Sequence, residues 1–421
     1  MPSAKKYGKI RPLQLIAVIF FTVSGGPYGL EPLLGYAHEH GAMLLLLITP
    51  LLWDVPAIFT VLELNSMMPV TGGYYQWVKH TLGKRWGFYE GWWTWLYTFA
   101  DLAIYPVLFV EYAGFFFPEV AAYKIPVCLA IIWLSVIVAI PFIILFVVFI
   151  QHHTGSFLLP RPSLKGIAYP SLGLGIYTVM WNCFGWDNVT TYAEEVEKPE
   201  RSYLISVFTS FILIMLVYFG VIAVAQLSGI NAETFADEGL PALGVLINGQ
   251  WLGSIIAAAG LASTLGLYLA NLLSVSRLPK VMADDELMPA RLHTLHPRFN
   301  TPYVSIIVCS VVISLMCLWS FGDLLIIDVT VYGAGLFLEY ITLIKLRITQ
   351  PKRHRPFRIP LSTNWLCLLL VLPVGVYAVA LSGVLSSMSQ AVKPALFAIA
   401  ALMSGEVVWR FIKWRKPHLK L

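Results

Sequence analysis

Long apolar stretches dominate the chain. Eleven of them run near 13–37, 42–64, 86–117, 125–150, 172–193, 202–227, 251–278, 302–320, 323–345, 365–384 and 391–411. Each is near or above the ~20 residues that an α-helix needs to cross a bilayer. A membrane β-barrel would instead show ~10-residue segments alternating apolar and polar positions. The pattern therefore predicts an all-α, multi-pass integral membrane protein. Two stretches are broken in the middle. The first reads Val23-Ser24-Gly25-Gly26-Pro27-Tyr28-Gly29 and the second Asn182-Cys183-Phe184-Gly185-Trp186-Asp187-Asn188. Unwound backbone at membrane depth is tolerated only where protein buries it or water and ligand satisfy it. A Gly/Pro-interrupted segment in each half of a chain is the best sequence pointer to a transporter's substrate site.

Composition narrows the class. The chain is 58% hydrophobic and 12% charged, against about 25% charged residues in soluble domains. The net charge of +5 resides between the spans, with no soluble domain to carry it, so no nucleic-acid partner is expected. The five cysteines show neither metal-ligand spacing nor a disulfide framework, so neither a metal nor a disulfide-linked subunit is expected. No nucleotide-binding loop and no buried Ser/His/Asp cluster is present, so no cofactor and no enzymatic activity is expected. Lys5, Lys6, Lys9 and Arg11 lead straight into the first apolar segment without a small-residue cleavage site. Residues 1–12 read as a cytoplasmic N-terminus, 13–411 as the transmembrane domain and 412–421 as a basic cytoplasmic tail.

Basic residues test the topology, because cytoplasmic loops are enriched in Lys and Arg. Alternation of eleven spans from an inside N-terminus puts 10 basic residues inside and 18 outside. If 125–150 begins and ends outside, the count becomes 24 inside and 4 outside: Lys124, Arg161, Lys165 and Lys393. That arrangement requires an even number of crossings, and the segment is too short for two at ~20 residues each. Pro141 could mark a re-entrant turn, or sequence is missing there.

Four local patterns accompany the breaks. One runs from Glu63-Leu64 and Pro69 to Gly72-Gly73-Tyr74-Tyr75-Gln76-Trp77. The second is Glu195-Val196-Glu197-Lys198-Pro199-Glu200-Arg201. The third runs from Ser276-Arg277 to Asn300-Thr301-Pro302, and the fourth is Arg355-Pro356-Phe357-Arg358-Ile359-Pro360. Together with SGGPYGLEP at 24–32 and FGWDN at 184–188, they resemble the amino acid–polyamine–organocation superfamily, in particular its polyamine and L-type amino-acid permeases. The resemblance implies a five-plus-five inverted-repeat transporter fold of the LeuT type with two additional C-terminal helices, the first and sixth helices being broken at the site. Against that pattern the chain is about 20–25 residues short between Ile140 and Pro141, roughly one span. The helix 4/helix 5 region is thus shortened, and with it any coupling-ion contact from helix five.

Half-helix N-termini suit a carboxylate, and half-helix C-termini with loose carbonyls suit an ammonium. Ser24, Gly25, Gly26, Pro27, Tyr28 and Gly29 are therefore substrate-site candidates, as are Phe184, Gly185 and Trp186. The competing reading is a kink that only permits tight packing. Asp101 lies mid-span, and Tyr105 shares its helix face. A polar residue near this point contacts substrate in the related permeases, so Asp101 is expected to bind an amine or else to bond a neighbouring helix. Asp187 reads as a gate or binding residue by resemblance, or as a cap for the half-helix that follows. Trp181, leading into the second break, could hold an ammonium by cation–π contact. Glu31, Glu63 and Asp187 are the gating or proton-coupling candidates. Glu111 and Glu339 lie near segment ends and read as reaching an interface, Asp54 has no evident role, and Trp92, Trp93 and Trp95 read as interface anchors.

These residues predict a secondary transporter of polyamines or amino acids working by alternating access, with H⁺ as coupling ion because several carboxylates can titrate. Many carboxylates and no intramembrane Lys or Arg favour a cationic substrate. The alternatives are a neutral amino-acid permease or exchanger, and a non-transporting sensor or incomplete transporter.

Overall fold

The computed structural model describes residues 9–24, 26–70, 72–116, 149–151, 163–275, 277–294, 302–386 and 392–416. Gly25 and most of the short 125–150 region, Pro141 included, lie outside the described residues, as does the side chain of Glu111.

Every regular element among these residues is helical. In chain order they are α1 (Pro12–Val23), α2 (Pro32–Leu52), α3 (Asp54–Met67), α4 (Gly73–Leu82), α5 (Lys84–Phe116), α6 (Tyr169–Asn182), α7 (Pro199–Ser228), α8 (Ala232–Asn248), α9 (Gln250–Val275), α10 (Arg277–Asp284), α11 (Tyr303–Met316), α12 (Phe321–Thr349), α13 (Thr363–Ser386) and α14 (Val392–Arg415). Tight 3₁₀ turns cover Asn188–Glu195 and Ala290–His293. The one β pairing described is an isolated parallel bridge between Ile10 and Val196.

Among the described residues, seven helices are long and apolar enough to cross a membrane by themselves. The eleven apolar stretches map onto more pieces than that, for a physical reason. The 13–37 stretch ends as a helix at Val23, unwinds, and restarts at Pro32. It then kinks at His38, whose φ is +53°, and the next span runs from His40 to Met67. The 172–193 stretch likewise gives a 14-residue helix followed by the 3₁₀ turn. Helix α11 is also short, at 14 residues.

Helices α5 and α12, of 33 and 29 residues, pack along one another at the centre. Helices α9 and α14 also lie against α5, α1 packs on α7, and α6 packs on α2 and α13. Lipid gives helices no hydrophobic reason to associate, so close backbone approach through small residues matters more. At the α6–α13 crossing, a Cβ on Gly383 would stand 2.9 Å from both the Gly173 Cα and the Tyr169 carbonyl oxygen.

The Trp cluster of α5 differs from the interface-anchor expectation. Trp92 donates its indole N–H to Ser404 Oγ at 2.8 Å and Trp93 to the Leu402 carbonyl at 3.0 Å. Trp95 is buried and reaches Cys309 Sγ at 3.4 Å. They bolt α14 and α11 to α5, because an indole N–H facing protein needs an acceptor there.

One end of the bundle carries the ion pairs. Glu63 meets Arg347 and Arg355, Lys79 meets Asp285, and Arg85 meets Glu406. The recurring sequence patterns converge on this end. A Cβ on Gly73 would collide with Thr190 at 2.2 Å, and Gly72 N–H donates to the Thr191 carbonyl at 3.1 Å. The Arg355–Pro360 loop docks on α3, with Ile359 N–H donating to Glu63 Oε2 at 2.9 Å and Phe357 N–H donating to Ser66 Oγ at 3.3 Å. Burial, reinforced by Asp285, pushes the Tyr75 phenol up. It thus stays protonated and donates to Asp285 at 2.5 Å.

Candidate functional site

Both breaks unwind for local reasons. In the first, Gly26 and Gly29 adopt φ of +112° and +89°, and Pro27 has no N–H to continue a helix. In the second, Gly185 adopts φ of +92°. An L side chain rarely accepts such values.

The two breaks are stitched together. Asn182 Nδ2 donates to the Gly29 carbonyl at 3.2 Å and to the Thr178 carbonyl at 2.9 Å. The Tyr218 hydroxyl, from α7, lies 2.7 Å from both Ser24 Oγ and the Asn182 carbonyl. Ser24 Oγ accepts from Gly26 N–H at 3.1 Å. A Cβ on Gly29 would stand 2.6 Å from Trp181 Cζ3, so the first break rests directly on the indole of the second. Gly29→Ala combines this clash with a disfavoured φ. It is expected to cost about 1–3 kcal/mol, read as a lower melting temperature, and to weaken ligand binding by moving Trp181. A variant with wild-type melting and binding would show that the contact is slack.

Between the breaks lies a cavity of about 340 Å³, lined by Ser24, Asp101, Tyr105, Trp181, Phe184 and Gly185 among others. The Tyr105 hydroxyl donates to Asp101 Oδ1 at 2.9 Å. Asn271 of α9 donates to the Tyr105 oxygen at 3.0 Å and reaches Asp101 Oδ2 at 3.5 Å. Asp101 thus both faces the cavity and bonds a neighbouring helix. Asp328, from α12, is fully buried within electrostatic range of Asp101, and the Trp181 indole N–H lies beside both carboxyls. No Lys or Arg among the described residues pairs with either carboxyl.

Of the other expected site residues, Tyr28 turns away from the cavity. Its hydroxyl donates to the Ile256 carbonyl at 3.0 Å, and its ring meets Tyr112 edge-on. Trp186 donates to Asp54 Oδ1 at 3.2 Å, which places the previously unassigned Asp54 behind the second break. Asp187 precedes the 3₁₀ turn without a side-chain cap bond. It accepts instead from the Tyr332 hydroxyl at 2.9 Å, and Tyr332 also takes the Gly185 N–H at 3.3 Å. Glu31 accepts from Gly29 N–H at 2.6 Å, from the Tyr112 hydroxyl at 2.5 Å and from Leu240 N–H at 3.4 Å. It therefore latches the first break to α5 and to α8, beside the kink at Gly239 (φ +71°). Glu31 also borders a second, wider cavity of about 680 Å³ with Tyr112, Asp237, Glu238 and Phe321. Glu63 is far from these, at the ion-paired end. Among the described residues no cluster of metal-ligating side chains occurs.

Glu339 is a correction. It is 1% exposed in the interior of α12, so it does not reach an interface. Arg347 is a second, since it lies buried within the candidate span Phe321–Thr349 and pairs with Glu63. Sequence reasoning also missed Asp328 and Glu90, although each carries the signal that picked out Asp101, an acid within an apolar stretch. Tyr332, Asn182 and Tyr218 carried no such signal.

The amino acid permease family matches residues 10–156 and 128–404. The two matched stretches overlap at 128–156, where the basic-residue count breaks down. Polyamine transporter RMV1 of Arabidopsis thaliana is 29% identical, over 96% of this chain and 85% of its own length. Polyamine transporter PUT1 of Oryza sativa subsp. japonica is 30% identical, over 99% of this chain and 81% of its own length. A probable polyamine transporter of Arabidopsis thaliana is 31% identical, over 88% and 82%. The chain belongs to the amino acid permease family of the amino acid–polyamine–organocation superfamily, and is a multi-pass membrane transporter.

Proposed function

We propose that the protein is a secondary transporter of polyamines that works by alternating access around the two breaks. The observation that carries this is the cavity lined by Asp101, with Asp328 buried within electrostatic range of it and no Lys or Arg among the described residues paired with either carboxyl. Buried charge without a partner is costly, and an entering ammonium supplies the missing counter-charge. Trp181 and Phe184 add aromatic walls, suited to an alkylammonium. The names of the relatives point the same way.

In this reading the helices form two inverted five-helix repeats followed by α13 and α14, and the ion-paired end is cytoplasmic. Ser24, Gly26, Pro27, Gly29, Asp101, Tyr105, Trp181, Phe184 and Gly185 surround the substrate. Tyr28 and Trp186 support the breaks from behind. Glu31 gates the opposite side through the α8 latch. The coupling ion is H⁺, with Glu31 and Asp187 as carriers. Glu63 is locked by two arginines, so its part is gating.

The test is uptake into proteoliposomes under an imposed pH gradient, with radiolabelled putrescine, spermidine, arginine, leucine and alanine. Saturable polyamine uptake that rises with an inward proton gradient is expected. Uptake of leucine or alanine alone would replace this reading with a neutral amino-acid permease. Binding without flux would make the protein a sensor or an incomplete transporter.

A further inference from the structure

Two more carboxyls stand on the central helix pair, and their placement mirrors that of Asp101 and Asp328. On α5 the order is Glu90, Tyr97, Asp101; on α12 it is Asp328, Tyr332, Glu339. Each tyrosine is four residues from its aspartate and seven from its glutamate. The two glutamates are each eleven residues from their aspartates. Eleven residues of α-helix climb ~16 Å and come back to within ~20° of the same face. Helix α5 begins at the ion-paired end and α12 finishes there, so the helices are antiparallel and the two series face each other rung for rung.

Contacts support the pairing. Asp101 and Asp328 lie within electrostatic range of one another. Glu90 and Glu339 do likewise, with Asp187 beside them. A Cβ on Gly335, one turn before Glu339, would meet Glu90 Oε1 at 3.1 Å, so Glu90 lies directly against α12. Between the rungs Tyr97 meets Tyr332 edge-on with centroids 5.2 Å apart, and Phe184 of the second break lies 4.5 Å from Tyr332.

The glutamate rung lacks partners. Both glutamates are 1% exposed. Among the described residues, Glu90 Oε2 and both oxygens of Glu339 have no hydrogen-bond partner, and no ion pair involves either glutamate. The mechanism proposed above gives them no task.

We infer that the ladder is a binding site for linear polyamines, in which Asp101 and Asp328 hold one terminal ammonium and Glu90 and Glu339 hold the other, with the tyrosine pair along the methylene chain between them. This rests on the polyamine reading and adds a length rule to it. An extended tetraamine reaches both rungs, whereas a short diamine occupies only the aspartate rung in the cavity. Phe184 of the second break and Tyr74 of α4 border the layer from outside the helix pair.

The test is equilibrium binding of putrescine and spermine to the purified full-length protein in lipid nanodiscs, with melting temperatures as the folding check. Wild-type protein is expected to bind spermine at least about tenfold more tightly than putrescine. Glu90→Gln and Glu339→Gln are each expected to weaken spermine binding at least about tenfold while leaving putrescine within about threefold. Equal losses for both amines, or no loss, would overturn the inference. So would a change confined to the pH dependence, which would make the glutamates a proton site. If wild-type protein binds neither amine, the polyamine reading fails and the ladder with it. If neither glutamine variant folds, a series of α,ω-diamines of increasing length on wild-type protein decides. A step to tighter binding at the length that spans both rungs is expected, and a flat series would refute the site.

Discussion

Glu63→Ala is expected to leave little or no folded protein. Glu63 is fully buried, and each of its oxygens is committed. Oε1 accepts from Arg347 Nε at 2.9 Å and lies 3.2 Å from Arg355 Nε. Oε2 takes Arg347 Nη2 and the Ile359 N–H. Arg347 in turn holds the Leu361 carbonyl at 2.6 Å and the Ile359 carbonyl at 3.0 Å. Burial pulls the Arg355 guanidinium down from its ordinary value while Glu63 beside it holds it up. Removing the carboxylate leaves two clustered guanidiniums without an anion. Stranding one partner of a buried pair costs about 3–5 kcal/mol, a large part of the usual 5–15 kcal/mol of stability. Glu63→Gln keeps the shape and some acceptor capacity, so it should fall between. Detergent-solubilised yield and melting temperature provide the measurement. Wild-type melting of Glu63→Ala would show that the loop from Arg355 to Pro360 is held by packing alone.

Asp101→Asn is expected to have the largest effect on transport. The substitution is isosteric and keeps an acceptor for the Tyr105 hydroxyl, so the fold should be retained. It removes the carboxyl that faces the cavity. Losing a desolvated charged partner costs about 2–5 kcal/mol, which is at least about thirtyfold in putrescine affinity. Leucine, where it is carried at all, should be affected far less, because a neutral side chain does not call on this carboxylate. The measurement is putrescine uptake and binding in parallel with a thermal melt. Unchanged putrescine affinity in a folded variant would assign Asp101 to the Tyr105–Asn271 network alone.

Much of the molecule was legible one residue at a time. An apolar run of about 20 residues is long enough to cross a bilayer as a helix. Ser24–Gly29 and Phe184–Gly185 announce unwound backbone because glycine and proline act locally, through φ and a missing N–H. Asp101 announces itself because a charge in an apolar run is costly wherever the helix packs. The patterns at Glu63, at Gly72-Gly73 and at Arg355–Pro360 were visible as strings. That they clasp one another around α3 and the Asn188–Glu195 turn was not visible, since nothing in a string gives the partner of a side chain.

The sequence by itself thus determined the class, the two breaks and the acidic character of the site. Only the tertiary structure decided which acids are matched by cations and which are not. By sequence Glu63 is a gating or proton-coupling candidate and Glu339 reads as reaching an interface. Packing gave Glu63 two arginines and set Glu339 opposite Glu90 with no donor among the described residues. Trp92, Trp93 and Trp95 read as anchors at the lipid surface until α14 and α11 supplied acceptors. The physical reason is common to these cases. Covalent geometry and transfer free energy belong to each residue alone. Desolvation and pairing are properties of neighbours, and in this bundle the neighbours come from helices more than two hundred residues apart.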